Sequence, residues 1–462
     1  MSDGHHLRAE VAVIGAGLSG LAAAHRLVER GIDSVVVLEA AERVGGRVWN
    51  RPLSHGGLIE GGAMYVCPAQ RDIWRLIELF GLEMFPTHKD GAHVTELNGV
   101  RHVSDGAVPP MAKSARDELR RALRAFDELV AGVPAGEPWR HPEAVVLDQT
   151  SLGDWRDGRI RDPIARVQFD RCVSGWLATP ASRASLLGAL HYMATCGGVA
   201  RMLADQEVTY RFTGGSQRLA LAIGERLGDR LVLGTPVSAV EDHRDGPVRV
   251  TSRRAEVAAD HVIVALNALG TRAIDFSPGL GAGHELLAGS WLPGQLLKLN
   301  VVYAEPFWRA DGLSGSASSD TGPFPAVVDS SPPDGSVGVL TVIGFVFPAD
   351  EPFGSPPEFF VDADLRRAAA LEQLVRFFGQ RAREVVEFQE TNWPRQPWIF
   401  GCQGTTPPGV VTRAGSALRA PVGRVHLAGT ETATRWTGWM NGAVQAGERA
   451  ADEVLSERSP VR

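Results

Sequence analysis

The sequence predicts an α/β fold in which a domain with a parallel sheet is interrupted by an inserted α+β domain. Residues 10–47 follow the order strand, glycine-rich turn, helix, strand and acidic residue. Continuous apolar runs rich in β-branched residues recur at 261–265 and 425–428, and such runs are typical of parallel strands buried on both faces. The chain has 462 residues, too many for one ordinary domain.

The N-terminal turn assigns a physical role to each of its glycines. The apolar run 11–14 predicts a buried strand, and GAGLSG follows it at 15–20. Gly15 permits a tight turn, Gly17 lets a pyrophosphate approach the backbone, and Gly20 lets the helix pack against the strand. The start of that helix offers free N–H groups and a partial positive charge to phosphates. We therefore predict a Rossmann-type dinucleotide-binding unit.

The next residues indicate which dinucleotide is bound. The second strand, 35–38, ends in Glu39, whose carboxylate can accept hydrogen bonds from ribose hydroxyls. The sequence RVGGR then occupies residues 43–47. This extension resembles the two-dinucleotide-binding flavoproteins. The resemblance implies FAD as the cofactor, with contacts from Arg43, Gly45, Gly46 and Arg47.

Composition and charge exclude several classes of function. The net charge is -7, with 22% charged and 44% hydrophobic residues, so neither a nucleic acid nor an anionic membrane is expected as a partner. The four cysteines form no CxxC pair and show no zinc spacing, so we expect no metal and a reducing compartment. The polar N-terminus predicts no signal peptide. No apolar stretch reaches the roughly 18 residues of a spanning helix, so none is expected. With the reducing compartment, we expect a cytoplasmic protein.

Hydrophobic periodicity predicts the other elements in chain order. Helices are expected at 72–80, 115–130, 185–196, 217–227, 365–378 and 440–455. Strands are expected at 93–97, 101–103, 231–233, 237–241, 248–252, 295–303 and 337–347. Residues 311–336 are rich in Gly, Ser, Asp and Pro, and we expect a long surface loop there. A second glycine-rich turn at 58–65 is either a plain surface turn or backbone that approaches the cofactor.

Several segments together resemble the flavin-containing monoamine oxidase family, including its soluble bacterial amine oxidases. Beside the N-terminal motifs, they are IEGGAMYVCPAQ at 59–70, FTGGSQ at 212–217, GQLLKLNVVY at 294–303, and AGTETATRWTGWMNGAVQAGERAA at 428–451. The resemblance covers nearly the whole chain. It implies an FAD-binding domain made of 1–88, 211–292 and 396–457, a substrate-binding domain made of 89–210 and 293–395, and a tail at 458–462.

The resemblance also implies the residues of an active site. Lys298 matches the family lysine that holds a water at flavin N5, although a strand-end lysine with its head in solvent is the alternative. Trp439 matches one wall of the aromatic cage that steers the amine. Trp393 and Cys196 match pocket residues, although core packing explains both as well, and Glu431 is alternatively an acid favoured at a helix start. The full set of expected FAD contacts is Gly15, Gly17, Gly20, Glu39, Arg43, Gly45, Gly46, Arg47, Gly62, Ala63, Val237, Cys402, Gly429, Glu431 and Met440.

Two positions depart from the family pattern. The second wall of the cage is aromatic in the family, but Gln403 stands there, so the cage is half polar unless Trp398 or Phe400 fills the place. Cys402 aligns with the cysteine that carries the flavin covalently in the mammalian enzymes. The loop after it is shorter here, so a covalent bond and a free thiol both remain open.

The resemblance implies an FAD-dependent oxidase of a primary or secondary amine. A hydride passes from the α-carbon to flavin N5, the imine hydrolyses to an aldehyde or ketone, and O2 reoxidises the flavin with release of H2O2. The expected partners are thus a small-molecule amine and O2, and a homodimer is expected from the family. One alternative is a flavin oxidase or desaturase of the same fold that acts on an amino acid or a carbon skeleton. An amino-acid oxidase needs an arginine for the carboxylate, and no arginine can be placed there from the sequence. Another alternative is a flavin-binding protein without turnover.

Overall fold

The computed structural model describes residues 5–105, 110–243 and 245–458. The strands are β1 (His5–Ile14), β2 (Val35–Leu38), β3 (Asn50–Pro52), β4 (Leu58–Glu60), β5 (Met84–Pro86), β6 (Ala92–Leu97), β7 (Val100–Ser104), β8 (Tyr210–Phe212), β9 (Leu231–Val232), β10 (Val237–Glu241), β11 (Val248–Ser252), β12 (Ala255–Val264), β13 (Asp275–Ser277), β14 (Leu292–Pro293), β15 (Leu296–Tyr303), β16 (Leu313–Ser319), β17 (Ala326–Asp329), β18 (Gly338–Phe345), β19 (Glu387–Asn392), β20 (Gly404–Thr405) and β21 (Val425–Leu427).

The α-helices are α1 (Leu18–Glu29), α2 (Arg71–Leu79), α3 (Lys113–Gly132), α4 (Ala144–Gln149), α5 (Leu152–Asp157), α6 (Pro163–Cys172), α7 (Ser174–Leu177), α8 (Leu186–Thr195), α9 (Val199–Glu207), α10 (Gln217–Leu227), α11 (Ala282–Ser290), α12 (Ala363–Phe378), α13 (Val411–Ala414) and α14 (Met440–Arg458). Short 3-10 helices join several of them. None of the helices in the described ranges combines the length and the apolar character needed to cross a membrane.

The first large sheet carries the N-terminal motif. Its order in the described chain is β13-β10-β11-β12-β1-β2-β9, and β21 pairs in parallel with the end of β12. The strands β12, β1, β2 and β9 are parallel to one another. Val11 and Val13 pack under α1 and α14, whereas Ala12 and Ile14 enter the core on the opposite face. Burial on both faces explains why this strand reads as an unbroken apolar run.

The second large sheet has the order β19-β15-β18-β17-β16-β6-β7. Its pairs are antiparallel except for β16 with β6. Helix α12 covers one face, where Leu374 and Phe377 pack with Leu299 and Leu340. A separate helical core unites α3 to α9 around Phe126 and other apolar side chains.

Most of the predicted elements are confirmed. The helices at 217–227 and the strands at 237–241 and 248–252 have the expected bounds, and the last two strands pair antiparallel. The helix expected at 185–196 is Leu186–Thr195, with Ser185 as its N-cap. The long helices at 115–130 and 365–378 each begin two residues earlier than expected.

The surface loop expected at 311–336 is wrong. This segment contributes β16 and β17 to the interior of the second sheet, and most of β16 is buried. The small side chains of β16 are polar, but neighbours satisfy them. Ser319 Oγ donates to Glu96 Oε2 at 3.0 Å, and Ser314 Oγ donates to the Ala92 carbonyl at 3.2 Å. A serine-rich strand looks like a loop in sequence because loops and satisfied buried strands share these residues.

Candidate functional site

A single cavity of about 1070 Å³ joins the N-terminal turn to the second sheet and the helical layer. Its wall includes most of the residues that the sequence singles out: Gly15, Gly17, Glu39, Arg43, Gly45, Gly46, Arg47, Gly62, Ala63, Val237, Lys298, Trp393, Cys402, Gln403, Gly429, Trp439 and Met440. Three expected residues lie elsewhere, namely Gly20, Cys196 and Glu431. Segments far apart in the chain therefore meet at one place.

The glycine turn has room for phosphates. Gly15 adopts a φ of +100°, which favours glycine, and a Cβ on Gly20 would overlap the carbonyl oxygen of Gly15. A Cβ on Gly17 would meet nothing within 4 Å. Gly17 also precedes α1 without any side-chain cap, so the first N–H groups of the helix stay available. These features fit a pyrophosphate group, and they leave Gly20 a packing role behind the wall.

Glu39 is held rigidly at the end of β2. Its Oε2 accepts from the Ala16 N–H at 2.6 Å, and its Oε1 accepts from the Ala41 N–H at 2.8 Å. Burial raises the pKa of this carboxyl, and the two backbone donors partly oppose that shift. Each carboxylate oxygen retains a further lone pair. The position therefore fits a carboxylate that receives ribose hydroxyls.

Arg47 links the N-terminal motif to the last third of the chain. Its guanidinium donates to the Cys402 carbonyl at 3.0 Å and to Glu431 Oε1 at 3.0 Å. Glu431 is 5% exposed, and its Oε2 accepts no hydrogen bond from any described residue. A Cβ on Gly429 would come within 2.9 Å of that oxygen. An unpartnered buried acceptor behind a glycine of the wall fits a hydroxyl group of a cofactor chain.

Lys298 lies on β15, the second strand from one edge of the second sheet, and its side chain is buried. Its Nζ donates to the Gly62 carbonyl at 2.7 Å and approaches Met64 Sδ at 3.2 Å. Burial lowers the pKa of this lysine to about 7, while Glu60 partly opposes the shift and Arg211 adds to it. The expectation of a buried, partnered lysine is met, and the solvent-exposed alternative is not. The glycine-rich turn at 58–65 is thus backbone on the cavity wall rather than a plain surface turn.

Tryptophan rings and Gln403 form the wall beside Lys298. The rings of Trp439 and Trp176 lie 5.5 Å apart at an interplanar angle of 31°. Gln403 Nε2 donates to the Trp176 carbonyl, and Gln403 Oε1 accepts from Cys402 Sγ at 2.7 Å. Trp398 and Phe400, the two residues considered as replacements for the missing cage wall, also line the cavity.

The two other expected pocket residues differ in position. Trp393 is 2% exposed but touches the cavity, so it serves both the core and the wall. Cys196 is buried in the helical core and does not line the cavity, which agrees with the alternative of a small buried hydrophobic residue.

Sequence reasoning missed other residues of the wall. Trp176 and Arg171 belong to the short helices between 163 and 177, and His93 belongs to β6. Neither spacing nor a local motif marks them, because only the folding of these helices against the second sheet brings them to the cavity. A tryptophan or an arginine in an amphipathic helix usually packs or faces solvent.

Comparisons with known proteins identify the family of this chain. The family model described as flavin containing amine oxidoreductase matches residues 18–455. AofH of Mycobacterium tuberculosis, assigned to the flavin-containing monoamine oxidases, is 35% identical over 97% of this chain and 96% of its own. The flavin-containing amine oxidase A of Equus caballus is 33% identical over 97% of this chain and 85% of its own.

Solved structures are similar over nearly the full length. A putrescine oxidase bound to putrescine superposes with a TM-score of 0.91 at 30% identity, covering 98% of this chain and 100% of the other. Cyclohexylamine oxidase from Brevibacterium oxydans IH-35A has a TM-score of 0.89 at 31% identity, covering 97% and 99%. The family implies FAD, and the glycine turn, Glu39 and Glu431 fit that cofactor. The chain belongs to the flavin-containing amine oxidase family, and it is an oxidoreductase that acts on amines.

Proposed function

We propose that this protein is an FAD-dependent oxidase of a primary or secondary amine. The observation that carries the proposal is the position of Lys298, buried and with a lowered pKa, in the cavity that also holds the glycine turn. An oxidase site needs a dinucleotide cradle and a reacting end within one enclosure, and this cavity offers both. The expected residues at the reacting end are Lys298 and Trp439.

The cofactor supplies the redox chemistry when bound: FAD would take a hydride equivalent from the carbon next to nitrogen and pass the electrons to O2. The protein residues have simpler tasks. Trp439 and Trp176 present ring faces that orient an amine. Lys298 can hold a water through Nζ, since its lowered pKa leaves a neutral fraction near neutral pH. Hydrolysis of the imine then gives an aldehyde or ketone.

The end of the cavity near α14 suits a group that becomes anionic. Met440 begins this helix and lines the wall, so the helix end that carries a partial positive charge lies beside the cavity. Arg47 adds a second positive charge nearby, held in place by Glu431. We assign cofactor contacts to the expected cofactor-binding residues on the wall and to Glu431 behind it, and a packing role to Gly20.

We also propose the domain division that the family pattern implies. The FAD-binding part comprises 1–88, 211–292 and 396–457, and the substrate-binding part comprises 89–210 and 293–395. The membership of strands in the two large sheets supports this division. A homodimer and a cytoplasmic location remain proposals from the family and from the cysteines, which are free at all four positions.

The purified holoprotein tests the proposal. Addition of an oxidisable amine without oxygen should bleach the flavin absorbance, and admission of air should restore it with one H2O2 per turnover. An α-amino acid that bleaches the flavin while its decarboxylated amine does not would favour the amino-acid oxidase alternative. A flavin that no amine or amino acid bleaches would support the alternative of a flavin-binding protein without turnover.

A further inference from the structure

One cationic side chain on the cavity wall has no counter-charge. Arg171 lies in the last turn of α6 and lines the cavity, and its guanidinium makes no hydrogen bond or ion pair with any residue that the structure describes. Its neighbour Cys172 carries a thiol whose pKa is raised by burial, so that side chain remains neutral. A guanidinium stays protonated in proteins. The wall therefore presents a partly desolvated positive charge.

The acidic residues on the wall do not neutralise Arg171. Glu207 lies 4.0 Å from Lys89, and Asp329 receives Arg309 at 2.9 Å. Asp105, also on the wall, forms no ion pair with Arg171 among the described residues. Burial and Arg171 together lower the pKa of His93 to about 4, so its ring is neutral. A desolvated charge without a partner is costly, and an anionic ligand group would remove that cost.

The strand spacing of the second sheet gives the separation between the surroundings of Arg171 and the reacting end at Lys298. Lys298, Ile343, Ala326 and Ser318 are register partners on four neighbouring strands, and all four line the cavity. Adjacent strands lie about 4.8 Å apart, so this row spans about 14 Å. Ser318 Oγ is 3.2 Å from His93 Nε2, so His93 lies at the far end of the row. Arg171 is near enough to His93 to lower the pKa of its ring. The cation and the lysine thus stand at opposite ends.

We propose that the substrate is an amine that carries a carboxylate at its distal end, bound by Arg171. This inference rests on the proposed amine oxidase activity. The ω-amino acid, O2 and water would yield the ω-oxo acid, ammonia and H2O2, with two electrons passing from the CH–N unit to O2. An α-amino acid cannot span the row because its amine and carboxylate share one carbon. Alkylamines with an uncharged distal end, and diamines, would lack the anionic group that contacts Arg171.

Steady-state kinetics of the holoenzyme tests the proposal. The probes are a series of ω-amino acids of increasing length and n-alkylamines of matched length. We expect kcat/KM to be higher for the longer ω-amino acids than for the n-alkylamines of matched length. Arg171→Gln should lower this value by roughly 10- to 100-fold, because a charge-assisted contact is lost, and should leave the alkylamine values nearly unchanged. Arg166→Gln is the matched control, since Arg166 belongs to the same helix but contacts Ile160 and Asp157 away from the wall.

A binding measurement separates this inference from the activity itself. An alkanoate without an amine should bind the wild-type holoprotein in a calorimetric titration, and Arg171→Gln should abolish that binding. Alkylamine turnover without any preference for ω-amino acids, and without alkanoate binding to the wild type, would overturn this inference alone. Absence of turnover with every amine would instead overturn the proposed function. The wild-type measurements decide the matter even if the variant fails to fold.

A second site, independent of the cavity, lies where α14 crosses β12 and β21. His261, His426 and Glu457 place one ligand atom each within 4.8 Å of one another. Glu457 Oε2 is 3.5 Å from His261 Nδ1 and 3.9 Å from His426 Nε2. Ligands of tetrahedral Zn²⁺, at about 2.0–2.1 Å from the ion, are separated by about 3.4 Å. Small side-chain adjustments would therefore bring these atoms to coordination distance.

The two imidazoles are prepared as ligands. His426 is fully buried, and neither its Nε2 nor His261 Nδ1 has a hydrogen-bond partner within the described chain. His426 Nδ1 lies 3.2 Å from Glu453 Oε2, and Arg449 in turn holds Glu453. A carboxylate on one ring nitrogen fixes the tautomer that leaves the other nitrogen free for a metal. Burial of an unpartnered ring nitrogen otherwise carries a cost.

We propose that these three side chains bind one divalent transition-metal ion of the Zn²⁺ class, which would tie α14 to the sheet. The Glu457 side chain is 43% exposed, so an ion and a completing water can reach the site. The sequence offered no zinc spacing because the two histidines and the glutamate come from three distant segments. None of the three lines the cavity, so the ion would act on stability rather than on the reaction.

Calorimetric titration of chelator-treated holoprotein with Zn²⁺ tests this site. We expect one ion per chain and a raised melting temperature. His261→Gln and Glu457→Gln should each weaken binding at least about tenfold, whereas Asp260→Asn, which removes a neighbouring charge that is not a ligand, should not. No saturable binding to the wild type, or unchanged binding in both ligand variants, would overturn the site.

Discussion

Lys298 shows how one buried side chain couples the site to stability. The chain contains three lysines, Lys89, Lys113 and Lys298. Lys298 reaches a carbonyl and a thioether sulfur within bonding distance rather than a carboxylate. Its surroundings therefore favour the neutral amine, and a positive charge there is tolerated only at lower pH.

Lys298→Met should flatten the dependence of stability on pH. The pKa of Lys298 is about 7 in the folded protein and about 10.4 in the unfolded chain. Between these values the unfolded state binds more protons, so the free energy of unfolding rises with pH, by at most about 1.4 kcal/mol per pH unit. Denaturant unfolding from pH 7 to pH 10 measures the slope. Lys113→Met, an exposed control, should keep the wild-type slope; an equal slope in Lys298→Met would contradict the assignment.

The same variant should affect the chemistry. If Lys298 positions a water beside the reacting carbon or O2, Lys298→Met should slow flavin reduction or reoxidation by about 100-fold. Stopped-flow absorbance under anaerobic conditions and then after oxygen admission separates the two half-reactions. Equal rates in both half-reactions for Lys298→Met and wild type would show that the lysine has only a structural role.

At the scale of the element, the glycine turn and α1 separate folding from cofactor binding. Gly20 faces the carbonyl of Gly15 with no space for a Cβ, whereas Gly17 faces open space with ordinary dihedral angles of φ −68° and ψ 171°. The two glycines are three residues apart but have different roles.

We expect Gly20→Ala to destabilise the apoprotein by about 1–3 kcal/mol through overpacking. Gly17→Ala should change apoprotein stability by less than about 1 kcal/mol and weaken FAD affinity at least tenfold, because the methyl lies where the pyrophosphate would approach. Denaturant unfolding of the apoproteins and fluorescence titration with FAD test both variants. Tight FAD binding by Gly17→Ala would exclude a phosphate site at this turn.

Elements are predictable where their residues repeat at the period of one structure. The strand at 35–38 and the helix at 217–227 have the expected bounds because both show a clean apolar pattern. The strand β16 escaped prediction because LSGSASS contains no apolar alternation. Its stability depends on hydrogen bonds to Glu96 and Ala92 of β6, which is more than 200 residues away in the chain.

At the scale of the molecule, local motifs predict the cofactor end better than the substrate end. Most of the proposed FAD contacts lie in or beside glycine-rich segments whose conformation is set by neighbours in sequence. Trp176 and Arg171 reach the wall only because α6 and α7 pack beside the second sheet. Cys196 belongs to the same helical layer, yet its side chain lies in the core rather than on the wall. Side-chain direction at such positions follows from tertiary packing, which a single sequence does not reveal.

The state of Cys402 is a property of the assembled molecule, since segments from both ends of the chain surround it. Burial raises the pKa of its thiol, and Arg47 only partly opposes the shift. The thiol also donates to Gln403 Oε1. A protonated thiol is a weak nucleophile, so we expect FAD to be held without a covalent bond. Acid precipitation of the holoprotein should leave the yellow colour in the supernatant, and Cys402→Ala should behave alike. A yellow pellet from the wild type and a colourless pellet from Cys402→Ala would contradict this prediction. That result would mean a covalent bond at Cys402, with the bound flavin itself activating a thiol that the protein surroundings keep protonated.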